Sequence, residues 1–188
     1  MKVRVLAVAF VLCFALAGCG SSSSSSPSSS SANVSSSSTQ SSVSSSSSAS
    51  PAITDEVREA CLAYVTSEEY TALNETAMTV MNGAGELVEA GNSDELLARF
   101  TKLSAQIQAL EAVDVPDLCA DINSNLLQFA RAEAVTLGDM VDAADAKRTG
   151  NANAYAKAYE EAGEYAELAK GFLDDYNSSV DELMAKFK

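Results

Sequence analysis

Residues 93–110 read SDELLARFTKLSAQIQAL and carry the clearest periodic pattern in the chain. Their large apolar side chains recur at intervals of three and four, which places them on one side of an α-helix. These side chains are Leu96, Leu97, Phe100, Leu103, Ile107 and Leu110. Asn92 and Ser93 stand directly before them and are residue types that cap the start of a helix. The stretch therefore predicts an amphipathic helix. The overall architecture depends on the helices predicted before and after it.

Three further helices are predicted around this one, because residues 53–188 are rich in Ala, Leu, Glu and Asp and show no alternation typical of strands. The predicted limits are Thr54 to Gly91, with a break where Thr66 and Glu69 can form a capping box, then Pro116 to Gly150, and Asn151 to the end. Four amphipathic helices joined by short turns favour an up-down-up-down four-helix bundle. The fold class is thus predicted as all-α.

The charge of the chain restricts its partners. Lys and Arg number 12 against 26 Asp and Glu, which gives a formal net charge of −14. Binding to nucleic acid needs basic residues that neutralise phosphate, so an acidic chain argues against that class. Such a charge also keeps a domain soluble, and we expect a monomeric domain.

The N-terminus has the three parts of a secretory signal. Lys2 and Arg4 precede an apolar run over residues 5–17 that is too short for a comfortable membrane span, and small residues follow. Leu16-Ala17-Gly18-Cys19 resembles the lipobox of bacterial lipoproteins.

This resemblance implies that residues 1–18 are a signal peptide and that Cys19 carries diacylglycerol with palmitate-type chains. It implies an extracytoplasmic protein that is lipid-anchored to the cell membrane or outer membrane of a bacterium. An ordinary secretory signal that ends in Ala-Gly-Cys is the other interpretation.

Residues 19–52 are dominated by serine after Cys19. They lack the apolar side chains that a core requires, so we predict a disordered Ser-rich tether. A flexible chain of about 30 residues spans about 30 Å on average. The folded domain is therefore expected over residues 53–188.

Two cysteines remain after Cys13 leaves with the signal and Cys19 is acylated. They are Cys61 and Cys119, and in an exported domain one possible pair predicts one disulfide. In an up-down-up-down bundle the first and third helices run in the same direction, which brings both cysteines near one end. Two buried free thiols are the alternative.

Few residues suit catalysis. The chain has no histidine, which removes the commonest general base, and we predict no enzyme, no cofactor and no metal site. Acidic runs at residues 160–167 and 139–145 can hold Ca²⁺ weakly but more often face water. The remaining candidate is a row of tyrosines on the last helix, namely Tyr155, Tyr159, Tyr165 and Tyr176. Tyrosines at helical spacing are more often core or boundary residues whose hydroxyls reach water, and Tyr155 and Tyr159 are the best members of the row for binding a ligand or partner.

These observations predict a non-enzymatic, lipid-anchored helical bundle with an interaction or structural role in the cell envelope, where its partner is an envelope protein. The alternative is a bundle that binds a small molecule or a divalent cation between its helices, near the tyrosines and carboxylates. An enclosed cavity would favour the ligand, and an exposed apolar patch would favour the protein partner.

Overall fold

The structure, a computed structural model, describes residues 53–187, and no β-strand occurs among them. Along residues 53–187, six α-helices and one 3₁₀ turn follow one another. They are α1 (Asp55–Val65), α2 (Glu68–Thr79), α3 (Ala84–Glu89), α4 (Ser93–Glu111), the 3₁₀ turn (Asp117–Cys119), α5 (Ala120–Thr149) and α6 (Ala152–Lys186). The predicted all-α class is confirmed. The predicted signal peptide, the predicted lipidation site Cys19 and the predicted Ser-rich tether lie outside the described residues.

The first predicted helix is three helices in the structure. The expected break after α1 is present, but Thr66 does not cap the helix that comes next. Its hydroxyl donates to the carbonyl of Leu62 at 2.7 Å, while the Ser67 hydroxyl accepts from the backbone N–H of Tyr70 at 3.3 Å. The helix cap therefore lies one residue later than the sequence pattern predicts.

A second break, which the predicted limits did not include, separates α2 from α3. Gly83 adopts φ 69°, a left-handed conformation that suits glycine and stops a right-handed helix. Gly91 has φ 67° and ends α3, since the N–H of Asn92 bonds back to the carbonyl of Leu87 at 2.9 Å. The chain can then turn sharply into α4.

The later helices begin and end close to their predicted limits. Asn92 caps α4 by accepting from the backbone N–H of Glu95 at 3.3 Å. Pro116 precedes the 3₁₀ turn, and α5 ends at Gly150, which has φ 72°. Asn151 then caps α6 through a hydrogen bond from the N–H of Ala154 at 3.2 Å. The sequence signals for helix ends are thus realised as local hydrogen bonds.

Helix α5 lies at the centre of the packing. It contacts α2, α3, α4 and α6, and α6 follows it as the second arm of a long hairpin. The core is formed by side chains from α1 to α6, and the fully buried leucines are Leu73, Leu96, Leu103, Leu110, Leu126 and Leu137. Each such side chain contributes about 1.5–3 kcal/mol by leaving water. None of the helices in residues 53–187 is both long and apolar enough to cross a membrane.

Candidate functional site

One end of the fold is held by the two predicted cysteines. Cys61 of α1 and Cys119 before α5 lie with their sulfurs at disulfide bonding distance, with Cα atoms 6.0 Å apart and no exposed surface. Close by, the Tyr64 hydroxyl donates to Oδ1 of Asn123 at 2.6 Å. These contacts join the second half of α1 to the start of α5.

The two tyrosines chosen from the sequence lie together on the first turns of α6. Their rings stack with centroids 5.6 Å apart and an angle of 24° between their planes. Tyr159 is 45% exposed, whereas Tyr155 is half-buried. Stacked aromatic rings at this spacing attract each other, and an exposed ring face can receive an apolar or flat ligand group.

Polar partners fix Tyr155 from other helices. Its hydroxyl donates to Oε1 of Glu89 at 2.6 Å, and Nζ of Lys147 binds Oε2 of Glu89 at 2.7 Å. The same Nζ lies 5.1 Å from the centre of the Tyr155 ring. We call Glu89, Lys147, Tyr155 and Tyr159 the tyrosine cluster. It links α3, α5 and α6 at the end of the fold opposite the cysteines.

The titration of the tyrosine cluster reflects these bonds. The hydrogen bond to Glu89 raises the pKa of Tyr155 to about 12. The bonds from Lys147 and Tyr155 hold the pKa of Glu89 below its usual value. The polar groups of the cluster are therefore satisfied by one another, and the face of Tyr159 is what the cluster offers to a ligand.

The other tyrosines of the row divide between core and surface. Tyr176 is buried, and its hydroxyl shares a 2.8 Å hydrogen bond with that of Tyr70 on α2. Tyr165 is 39% exposed and lies between Tyr159 and Tyr176 in sequence. The row is thus not one continuous binding surface.

The acidic runs do not converge. Within residues 53–187, no three His, Cys, Asp or Glu side chains form a group that could hold a metal ion. Asp145 instead accepts from Ser93 and Arg148, at 2.7 and 2.8 Å, and these bonds lower its pKa. Glu161 pairs with Lys157 at 2.9 Å. Asp145 and Glu161 are thus engaged by neighbouring side chains rather than by a shared ion.

A groove between α4 and α5 was not expected from the sequence. Its apolar wall is formed by Phe100, Ile107, Ala134 and Val135, and it opens to solvent. Arg131 and Glu111 form an ion pair at one end, and Asp139 and Asp142 lie toward the other. We call this feature the α4–α5 groove.

Two residues of the α4–α5 groove, Gly138 and Asp139, bear on what it can receive. A methyl group built on Gly138 would meet no other part of the protein within 4 Å. Oδ2 of Asp139 is buried and, among the described residues, finds no hydrogen-bond partner. Burial, followed by the charges of Glu161 and Asp142, raises the pKa of Asp139. Gly138, a glycine inside a long predicted helix, marks this position of α5 in the sequence, but the opposite wall on α4 does not follow from it.

A second carboxyl group in the described part of the chain also lacks a partner. Glu133 stands on α5 among buried residues, and its Oε2 has no hydrogen-bond partner. Burial raises the pKa of Glu133 to about 7. Its neighbours Ala132 and Ala134 are both buried, so Glu133 lies at the edge of the core.

Comparison with known proteins gives no match. No family model matches the chain, and no curated protein and no solved structure is significantly similar to it. Any functional conclusion therefore rests on the sequence motifs and on the arrangement of the side chains.

Proposed function

We propose that this chain is a lipid-anchored, extracytoplasmic helical-bundle protein with a non-enzymatic interaction or structural role in a bacterial cell envelope. The observation that carries the proposal is Leu16-Ala17-Gly18-Cys19 behind a basic and apolar leader. A cysteine pair at disulfide distance supports it, since disulfides persist in oxidising compartments outside the cytoplasm.

We propose that the helices form an up-down-up-down bundle, in which α1, α2 and α3 together make up the first arm. Three cross-contacts between this arm and α5 support that course, because their sequence separations are nearly equal: 58, 59 and 58 residues. The pairs are Cys61–Cys119, Tyr64–Asn123 and Glu89–Lys147. A constant separation is what two parallel segments produce, and α4 and α6 then supply the two antiparallel arms.

The carboxyl groups with raised pKa values support a role other than catalysis. Glu133 and Asp139 are six positions apart on α5, which rotates one from the other by about 240° around the helix. Two carboxyl groups that act as acid and base must flank one substrate. These two point to different sides of the helix and do not meet in a shared cleft.

Replacement of Cys19 tests the anchor. We expect Cys19→Ser to move the protein from the membrane fraction to the soluble extracytoplasmic fraction, and to abolish incorporation of a labelled palmitate analogue. Cys13→Ser is the matched control, because the proposed cleavage removes Cys13, and it should leave both readouts unchanged. Continued membrane association and labelling of the Cys19→Ser protein would contradict the proposal.

A second candidate function is binding of a small molecule, which the exposed face of Tyr159 in the tyrosine cluster favours. A ligand that binds only the folded state raises the thermal midpoint. The test is a thermal melt of the full chain with Ca²⁺, other divalent cations and a metabolite panel. A rise that Tyr159→Ala abolishes would support this candidate, and no rise with any compound would remove it.

A further inference from the structure

We propose that the α4–α5 groove binds a basic amphipathic helix from a partner protein. This inference deepens the interaction role proposed above and rests on it. Three features of the groove lead to it: its apolar wall, the open position at Gly138 and the unpartnered carboxylate of Asp139.

The shape of the α4–α5 groove suits one helix. Val135 is 40% exposed although it is apolar, and the half-buried Phe100 contributes further apolar surface from α4, while Ile107 lies buried beneath the groove. On the α5 side the groove extends from Arg131 to Asp142, eleven residues or about 16 Å. That length matches about three turns of a docked helix, which presents side chains at intervals of three and four.

Gly138 provides the place of closest approach. Glycine is less favourable than alanine inside a helix, so its presence in α5 needs a reason. Packing within this chain supplies none, because a methyl group there would touch nothing within 4 Å. A helix from outside can approach the backbone of α5 at this point more closely than at any position with a side chain.

The charges around Asp139 favour a basic partner. Oδ2 of Asp139 is buried without a hydrogen-bond donor, and Asp142 and Glu161 add negative charge nearby. Lys157 is already paired with Glu161. A lysine or arginine from the partner would place a positive charge beside the Asp139 carboxyl group, which favours its charged form. The net charge of −14 would also steer basic partners toward the chain.

The test uses the full chain in a zwitterionic detergent and a synthetic 14-residue peptide with a leucine stripe flanked by lysines. Isothermal titration, corrected for titration into micelles alone, should give a dissociation constant in the micromolar range that weakens as salt is added. The same peptide with glutamate in place of lysine should not bind. Spermidine serves as a cation without a helix and should bind at least tenfold more weakly.

Two substitutions separate groove binding from general attraction to an acidic protein. Gly138→Leu should fill the α4–α5 groove and weaken binding at least tenfold without lowering the thermal midpoint. Gly163→Leu is the matched control, because Gly163 of α6 is also a helical glycine with nothing within 4 Å. It should leave binding unchanged. Asp139→Asn should weaken binding about fivefold.

Val135→Lys gives a second route if Gly138→Leu does not fold. Its position is exposed, so the fold should survive, while the new charge should repel the basic peptide. Equal binding to wild type, Gly138→Leu and Val135→Lys would overturn the proposal, as would equal binding of spermidine or of the glutamate peptide, or no binding at all. These readouts use purified protein and do not depend on Cys19, so failure here and failure of membrane anchoring are separate results.

Discussion

Replacing Glu133 by glutamine should stabilise the protein at neutral and alkaline pH. The side chain is mostly buried on α5, and Oε2 has no hydrogen-bond partner among the described residues. The charged carboxylate is therefore disfavoured in the folded state, and burial raises its pKa to about 7. Glutamine has nearly the same shape but carries no charge at any pH.

The magnitude comes from the two pKa values. The ordinary value is 4.5 and the folded value is about 7, a difference of about 2.5. At about 1.36 kcal/mol for each pKa unit, the charged form costs the fold about 3 kcal/mol. The folded state binds the proton more tightly than the unfolded chain, so the cost is absent below pH 4.5. It grows as the pH rises and is complete above about pH 7.

The measurement is urea unfolding of wild type and Glu133→Gln at several pH values from 4 to 8. The difference in unfolding free energy between the two proteins should increase by about 3 kcal/mol in favour of the variant across that range. Comparing the proteins with each other removes the pH effects of the other acidic groups, which both proteins share. Glu164→Gln is the matched control, because Glu164 is exposed on α6.

Parallel stability curves for wild type and Glu133→Gln would refute the reasoning. They would mean that Glu133 finds water or a donor and that its burial costs the fold nothing. A pH-dependent gain of equal size in Glu164→Gln would refute it as well, because it would trace the effect to net charge.

Two further predictions concern contacts between distant parts of the chain. Cys61→Ala should lower the unfolding free energy by about 4 kcal/mol, since the bond to Cys119 closes a loop with a sequence separation of 58. Reduction of the wild type should lower the thermal midpoint similarly, and a midpoint that neither change affects would contradict the disulfide. Tyr176→Phe should cost about 1–3 kcal/mol because it leaves the buried Tyr70 hydroxyl without its partner. Adding Tyr70→Phe should recover part of this loss in urea unfolding, and a further loss of the same size would contradict the hydrogen-bond explanation.

The sequence predicted helices well where local rules decide the result. The apolar stripe and Asn92 cap predicted α4 nearly to the residue, and Gly91 and Gly150 ended helices as expected. The break at Gly83 was missed because a single glycine can either weaken a helix or end it. Packing against the rest of the fold, which a sequence pattern does not contain, decides between the two.

The candidate site was less predictable because it depends on contacts between helices. Tyr159 and Tyr176 share the same helical row, yet one is 45% exposed and the other 4%. Sequence spacing could place both tyrosines on α6. Tyr176 is buried because α2 packs there and its Tyr70 shares a hydrogen bond with Tyr176. The α4–α5 groove could not be predicted from the sequence either, because its two walls come from separate helices and depend on how those helices pack.

The position of the cysteine pair has a mechanical consequence. Tension applied through the N-terminal segment would enter at Asp55 and reach Cys61 after only six residues. A bond to Cys119 would pass the load directly into α5, the helix that lines the α4–α5 groove. The segment between the two cysteines would carry none of this load. While the bond is intact, this segment could not be pulled out, which shortens the fully extended chain by about 200 Å. A protein held at the membrane and gripped at that groove would therefore transmit force along one short, covalently reinforced path.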